Sequence, residues 1–396
     1  LVRIRFSLKK IYVYLVLLLI LYTSDSIYTY VFIQLDHEIE IIADILMLMS
    51  MFFLSKEKIL MIFECNGFLS SILLLVSLYN LKNTEYLYLI ALLIRFFAVS
   101  TFIVWCYDQK IDFLSYLCTI VFFMAIFYLF CYVLFDMGVS GVEPKIVKVA
   151  GFNGSVAKKS IYGCYCGFYY RWDFTRRMLG YKVMACNGFF REVGVYQIYL
   201  NFAIFWYMYM EKGHEKRVFF LILAVISTFS AMGFLILACM IAVKLLNKSQ
   251  RGVLFGLLSL VVITIMMYGV MNDKIVHYAH GRQSNLKAAI SWLERGWPWG
   301  NGYSRDILSW YGLLNYVIHF GIVGFIPIVL LIIGITKGTF GKNWKAAVSC
   351  IIWWGLCLMN EAAGYSMFFL VIYVSCFLRL FMGISYDDIK HEKYNV

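Results

Sequence analysis

Residues 311–336 read YGLLNYVIHFGIVGFIPIVLLIIGIT, a run without a single Asp, Glu, Lys or Arg. An apolar run of this length reads as a membrane span. In lipid a segment satisfies its backbone groups only as a helix or in a closed barrel, and apolarity that does not alternate selects the helix. Working outward, further spans are expected at the N-terminal IYVYLVLLLILY and at 37–54, 59–79, 85–106, 111–135, 193–210, 252–271, 344–359 and 364–383. Val218–Val243 is too long for one span and is interrupted by STFSAMG, which predicts two short helices joined by a tight turn. The expected fold is all-α: a polytopic integral membrane protein of about 12 transmembrane helices with two long outer-face loops.

Composition agrees. Of 396 residues, 62% are hydrophobic, 15% are charged and 3 are proline, outside the range of soluble globular chains. The basic N-terminus LVRIRFSLKK and the apolar run after it resemble a signal peptide. The following TSDSIY offers no small-x-small cleavage site, so an uncleaved first span is expected. Most of the 11 cysteines lie in apolar runs, where Cys acts as a small hydrophobe, and no disulfide framework is implied. Cys164, Cys166 and Cys186 are the ones expected to meet an outer compartment, as free thiols.

The basic residues set an orientation. Nineteen Lys and Arg fall on short connectors and tails of one side, whereas the short connectors of the other side hold only Lys82. Both termini are therefore expected in the cytoplasm. Two outer segments break the pattern: residues 136–191 carry nine basic against three acidic residues, and 272–310 carry five against three. Basic residues on that side suit an anionic ligand, because Arg presents a fork of donors matched to phosphate oxygens. Contact with anionic lipid headgroups is the other explanation.

The second outer segment is the richer one. From Arg282, Leu286, Ala289, Ile290 and Leu293 recur at helical spacing, predicting a helix in the outer interface with Trp292, Trp297 and Trp299 at headgroup depth. Gly300 and Gly302 would let the backbone turn sharply and approach a ligand. His319 then stands in the next span, as a base or as a ring hydrogen-bonded to a neighbouring helix. His277 and His280 precede Arg282 and are ambiguous in the same way. In the first segment, Asn187–Asn201 reads NGFFREVGVYQIYLN; Glu192 suits the positive end of a helix, leaving Arg191 to face a ligand. Asp44, Glu64 and Arg95 lie inside apolar runs, where a charge costs about 3 kcal/mol on insertion scales and has to pair or face a cavity. A Walker A loop, metal-ligand spacing of His or Cys and a nucleophile elbow are all missing from the sequence.

Four motifs in order carry a resemblance: NGFFREVGVYQIYLNFAI, STFSAMGF (227–234), GRQSNLKAAISWLERGWPWGNGYS and HFGIVGFI. They resemble, respectively, the R-x-x-G-x-F-x-E-P-G segment, the T-F-S-T-T-G hairpin, the G-R-x-x-x-W…P-x-G-x-G outer loop and the small-residue helix of bacterial O-antigen and capsular polysaccharide polymerases. These are the Wzy-type membrane enzymes related to O-antigen ligases. The resemblance covers most of residues 130–336 and implies glycosyl transfer at the outer face of the bacterial inner membrane. The substrate would be an undecaprenyl-pyrophosphate-linked oligosaccharide, with no cofactor or metal and no nucleic acid. A chain-length regulator and a flippase are expected neighbours. It implies that Arg282 and Arg191 hold the donor's pyrophosphate, with Arg177, Lys182, Trp292, Trp297, Tyr303 and Arg305 binding substrate. The base stays open among His280, His319, Glu192 and Asp306.

The chain departs from the family in places. The family's first-loop Arg falls on Ala185, with Arg191, Lys182 and Arg177 as nearby replacements, and its Pro after Glu192 is Val193. The ligases' His-Asn pair falls on Trp310 and Tyr311, which points to a polymerase over a ligase. A lipid-linked oligosaccharide transporter and a noncatalytic scaffold for glycan assembly are the rivals from other classes.

Overall fold

The computed structural model describes residues 8–24, 26, 36–80, 84–136, 144–150, 156–165, 169–172, 175–178, 181–190, 192–211, 213–246, 287–304, 312–340, 343–360 and 366–382. Helices α1 (Leu8–Thr23), α2 (Asp36–Met49), α3 (Lys56–Tyr79), α4 (Tyr86–Asp108) and α5 (Phe113–Cys131) form the N-terminal half. Helices α6 (Val193–Tyr209), α7 (Glu215–Ser227), α8 (Ala231–Leu245), α9 (287–296), α10 (Gly312–Phe320), α11 (Phe325–Ile333), α12 (Trp344–Asn360) and α13 (Met367–Met382) follow. Among the described residues four helices are long and apolar enough to cross a membrane: Lys56–Tyr79, Tyr86–Asp108, Phe113–Leu134 and Gly312–Lys337. Three shorter apolar helices join them. The chain is thus a helical membrane protein; of the twelve expected spans, 252–271 lies outside the described residues.

The bundle centres on α6. Every residue from Val193 to Tyr209 is buried, so this helix has protein on all sides, as an all-round apolar helix requires. Its polar residues turn to neighbours: the Asn201 amide donates to Gln197 Oε1 (2.9 Å) and to the Gly233 carbonyl (3.3 Å). The Trp353 indole of α12 donates to the Ile198 carbonyl (3.0 Å). The expected pair of short helices is present as α7 and α8, joined at Thr228–Ser230. Phe229 there holds φ 46°, a left-handed conformation unusual for an aromatic residue. Ser230 stabilises the turn by capping α8, its hydroxyl accepting from Gly233 N (3.3 Å).

One expectation needs amending. The segment 136–191 was expected to be a loop of an all-α protein, but it carries two antiparallel sheets. Strands β1 (Pro144–Ala150), β2 (Val156–Tyr165) and β3 (Tyr169–Trp172) form one, and β4 (Thr175–Met178) and β5 (Tyr181–Met184) form the other. The physical reason is local: these stretches hold β-branched and aromatic residues in short runs between turn residues, the composition that fits a pleated surface.

The two ends of the bundle differ. At one end Lys9 donates to Gln109 Oε1 (2.5 Å) and Lys58 pairs with Asp108. At the other, the α3–α4 connection meets the second long segment: Asn80 Nδ2 donates to the Trp299 carbonyl (3.1 Å), and Glu85 N donates to the Tyr303 carbonyl (2.8 Å).

Candidate functional site

The second segment is folded onto a break in a membrane helix. The run 311–336, read above as one span, stops being α-helical at Phe320 and resumes at Phe325, with a 3-10 turn over Gly321–Gly324 between. Gly321 sits at φ 60°, which ends α10 and strips its last carbonyls of helical donors. Carbonyls released at membrane depth need partners within the protein. The loop supplies them: Asn301 N donates to Ile318 O (2.8 Å), and Gly302 N donates to His319 O (3.1 Å). In return Ile322 N donates to Pro298 O (2.8 Å). The Asn301 side chain closes the junction by donating to Trp292 O (2.7 Å) and to Ile318 O (3.1 Å).

This contact explains the glycines. Gly300 (φ 83°) and Gly302 (φ 87°) make the expected sharp turn. The close approach, however, is to protein. A Cβ on Gly300 would collide with the His319 carbonyl, and one on Gly321 with the Pro298 carbonyl. A second correction concerns the helix. In α9, Ala289 is buried against Ile318, with Trp292, Leu293 and Leu314 beside it, but Ile290 is exposed. The seat on α10 fixes which face is buried. Trp297 and Trp299 stay exposed, and the Arg295 guanidinium lies over the Trp292 ring at 4.7 Å.

Beyond the glycines the loop brings Tyr303 against Phe320 and His319, within electrostatic range of a charge cluster. Tyr303 stacks on Phe320 (6.0 Å between centroids) and meets the buried His319 edge-on (5.2 Å). Its phenol is within electrostatic reach of Arg95. Arg95, on α4, donates from Nη2 to Glu40 (2.8 Å) and lies 3.5 Å from Asp44 through Nε. Both carboxylates stand on α2, four residues apart and so on one helical face. Ser304 completes the link by donating to Glu85 Oε1 (2.5 Å). The expected pairing of intramembrane charges therefore holds for Asp44 and Arg95, with Glu40 as a third member. Glu64 does not share in it and faces outward from α3.

The first segment enters at its own point. Asn187–Phe190 turns through Gly188 (φ 55°), and Cys186, expected to meet the outer compartment, is instead buried and donates its N–H to Ser227 O (2.9 Å) at the α7–α8 tip. Glu192 takes the expected helix-start position: its carbonyl accepts from Val195 N (3.1 Å) and Tyr196 N (3.0 Å), while its side chain is half-buried. Phe190 stacks on Tyr199 at 4.2 Å. Helix α13 packs on both anchors, Phe368 against Tyr199 (4.5 Å) and Tyr373 against Phe96 of α4 (5.9 Å).

Of the residues singled out in the sequence, the structure brings Trp292, Tyr303 and His319 together around the broken helix. Glu192 belongs to the other anchor. The register of the β4–β5 hairpin sets Arg177 opposite Lys182. Arg191, His280, Arg282, Arg305 and Asp306 lie outside the described residues. Sequence reasoning missed Glu40; its i, i+4 relation to Asp44 was the available signal. Among the described residues no three His, Cys, Asp or Glu side chains gather as a metal-binding group. Comparison with protein-family models, with characterised proteins and with solved structures finds no match to this chain.

Proposed function

We propose that this chain is a membrane glycosyltransferase that joins undecaprenyl-pyrophosphate-linked oligosaccharide repeat units at the outer face of the bacterial cytoplasmic membrane, with both termini in the cytoplasm. The observation that carries the reading is the second segment. It is rich in Arg and Trp, it docks on a helix break, and it sets Tyr303 within electrostatic reach of Arg95 in the Glu40–Asp44–Arg95 cluster. A lipid pyrophosphate is already a good leaving group. The enzyme has to hold its departing charge, position an acceptor hydroxyl and remove one proton. Arginines serve the first task, the exposed loop tryptophans offer apolar faces for sugar rings, and the polar cluster serves the rest.

The experiment is Arg282→Ala in the native strain. Surface glycan is expected to stop at a single repeat unit while the protein still inserts, a loss of polymer of at least tenfold by gel analysis. Normal long-chain polymer would sink the assignment. Long chains left unattached on undecaprenyl would point instead to an O-antigen ligase. A lipid-linked oligosaccharide transporter is the second reading, favoured by the same charges at membrane depth; it predicts no chain growth by the purified protein.

A further inference from the structure

We infer that the outward face of α3 is the contact surface for a second copy of this chain, centred on Glu64. Helix α3, one of the four long enough to cross a membrane, lays one face on the bundle. On that face Ile62, Asn66, Leu73 and Val76 are buried, and the Ser100 hydroxyl of α4 donates to Asn66 Oδ1 (3.2 Å). The opposite face carries Glu64, Gly67 and Ser71, at i, i+3 and i+7 and so in one line, and all three are exposed. Glu64 makes no hydrogen bond or ion pair among the described residues. At 1.5 Å per residue it lies about 12 Å along a helix about 36 Å long, too deep for a short carboxyl stem to reach water at either end. Lipid tails give such a group no partner, so its partner comes from another chain.

The chemistry of this line of residues selects a second copy. Among the described residues Arg95 is the one basic side chain clear of the first and last helical turns, and Glu40 and Asp44 hold it. The described surface that answers Glu64 at its own depth is therefore the same face of α3. Two chains inserted the same way round meet there about a two-fold axis along the membrane normal, where each residue of the line faces its own copy. One Glu64 carboxyl then donates its O–H to the other, the arrangement by which neighbouring acids avoid two like charges. Gly67 and Ser71, four residues apart, form the small-residue pair that lets two backbones close to the distance such a bond needs. A Cβ built on Gly67 meets nothing within 4 Å, and its φ is not left-handed, so neither packing nor conformation within the protomer calls for glycine. Glycine in a helix interior is unfavourable relative to alanine, and contact with a second chain accounts for it. Leu60, Phe68 and Leu75, each at least 60% exposed, extend the contact along the helix. The contact is independent of the chemistry proposed for the outer face.

The test counts chains per particle. Full-length protein with a C-terminal fluorescent fusion is reconstituted in phosphatidylethanolamine and phosphatidylglycerol vesicles over a range of protein-to-lipid ratios and scored by single-molecule photobleaching steps. Wild type is expected to pass from one step to two as the ratio rises. Gly67→Ile should raise the dissociation constant at least tenfold, while its thermal unfolding in detergent matches wild type, because the protomer has room for the side chain's first carbon. Ser71→Ile reads the same contact at a second position where the Gly67 variant folds poorly. Glu64→Ala should weaken pairing roughly 3–30-fold, the worth of an interhelical hydrogen bond in lipid, and Glu64→Gln, whose amide can bond to its twin, should restore most of it. Phe123→Ala, on the exposed face of α5, should change nothing. A protein that stays single at every ratio, its α3 face covered by lipid, by another segment of its own chain or by a different protein in the cell, would overturn the inference. So would a dimer that Gly67→Ile and Glu64→Ala leave intact, because its contact would lie elsewhere.

Discussion

Gly321→Ala is expected to release the second loop from the broken helix. Gly321 holds φ 60°, and an added Cβ would run into the Pro298 carbonyl on the loop. The left-handed conformation costs an L-residue about 1–2 kcal/mol, and forced overpacking adds about 1–3 kcal/mol. The chain avoids the strain by giving up the contact, because the loop is a separate element seated on α10. The direct readout is hydrogen exchange at Asn301 and Gly302, whose amides donate to the Ile318 and His319 carbonyls. Both should exchange at least tenfold faster in the variant, with the amides of α6 unchanged. Equal protection at the two loop amides would show that the break does not depend on Gly321.

Arg95→Met should be the most destabilising change in the membrane interior. It removes the guanidinium, so that Glu40 loses its 2.8 Å contact and Asp44 its 3.5 Å contact with a positive charge. Breaking a buried ion pair by deleting one partner costs about 3–5 kcal/mol, because the survivor's charge is left uncompensated. The same reasoning says which change repairs it. Adding Glu40→Gln and Asp44→Asn to Arg95→Met removes the stranded charges, and most of the lost stability should return. Thermal unfolding in detergent checks both results. A single Arg95→Met loss below about 1 kcal/mol would mean that the carboxylates are solvated and that the cluster is not the buried unit described here.

What the sequence disclosed and what it hid follow from the range of each signal. The helices were legible because lipid allows few other solutions: α3, α4, α5 and the 312–337 run are plain apolar runs. The α7–α8 turn was legible because Ser227–Ser230 supplies small polar residues where a run is too long. Glu192 was legible as a helix start. The strands at 144–184 were not, since four- to ten-residue runs in a basic segment carry a weak period of two. The break at Gly321 was hidden for another reason. Its glycine announces freedom, but only the docked 298–302 backbone decides that the freedom is used. The charge cluster lay furthest from view. Arg95 and Asp44 each stood out as charges in apolar runs, whereas their pairing joins α2 to α4, and only tertiary packing brings those helices together.

The central claim is chain growth at the membrane's outer face, and reconstitution measures it without reference to a host strain. Purified protein in sealed vesicles, given radiolabelled undecaprenyl-pyrophosphate-linked repeat units and no ion gradient, is predicted to produce a ladder of lipid-linked oligomers. The ladder should be missing with Arg282→Ala. Movement of unchanged single units across the bilayer, with no product longer than one repeat, would contradict the account and assign the chain to transport.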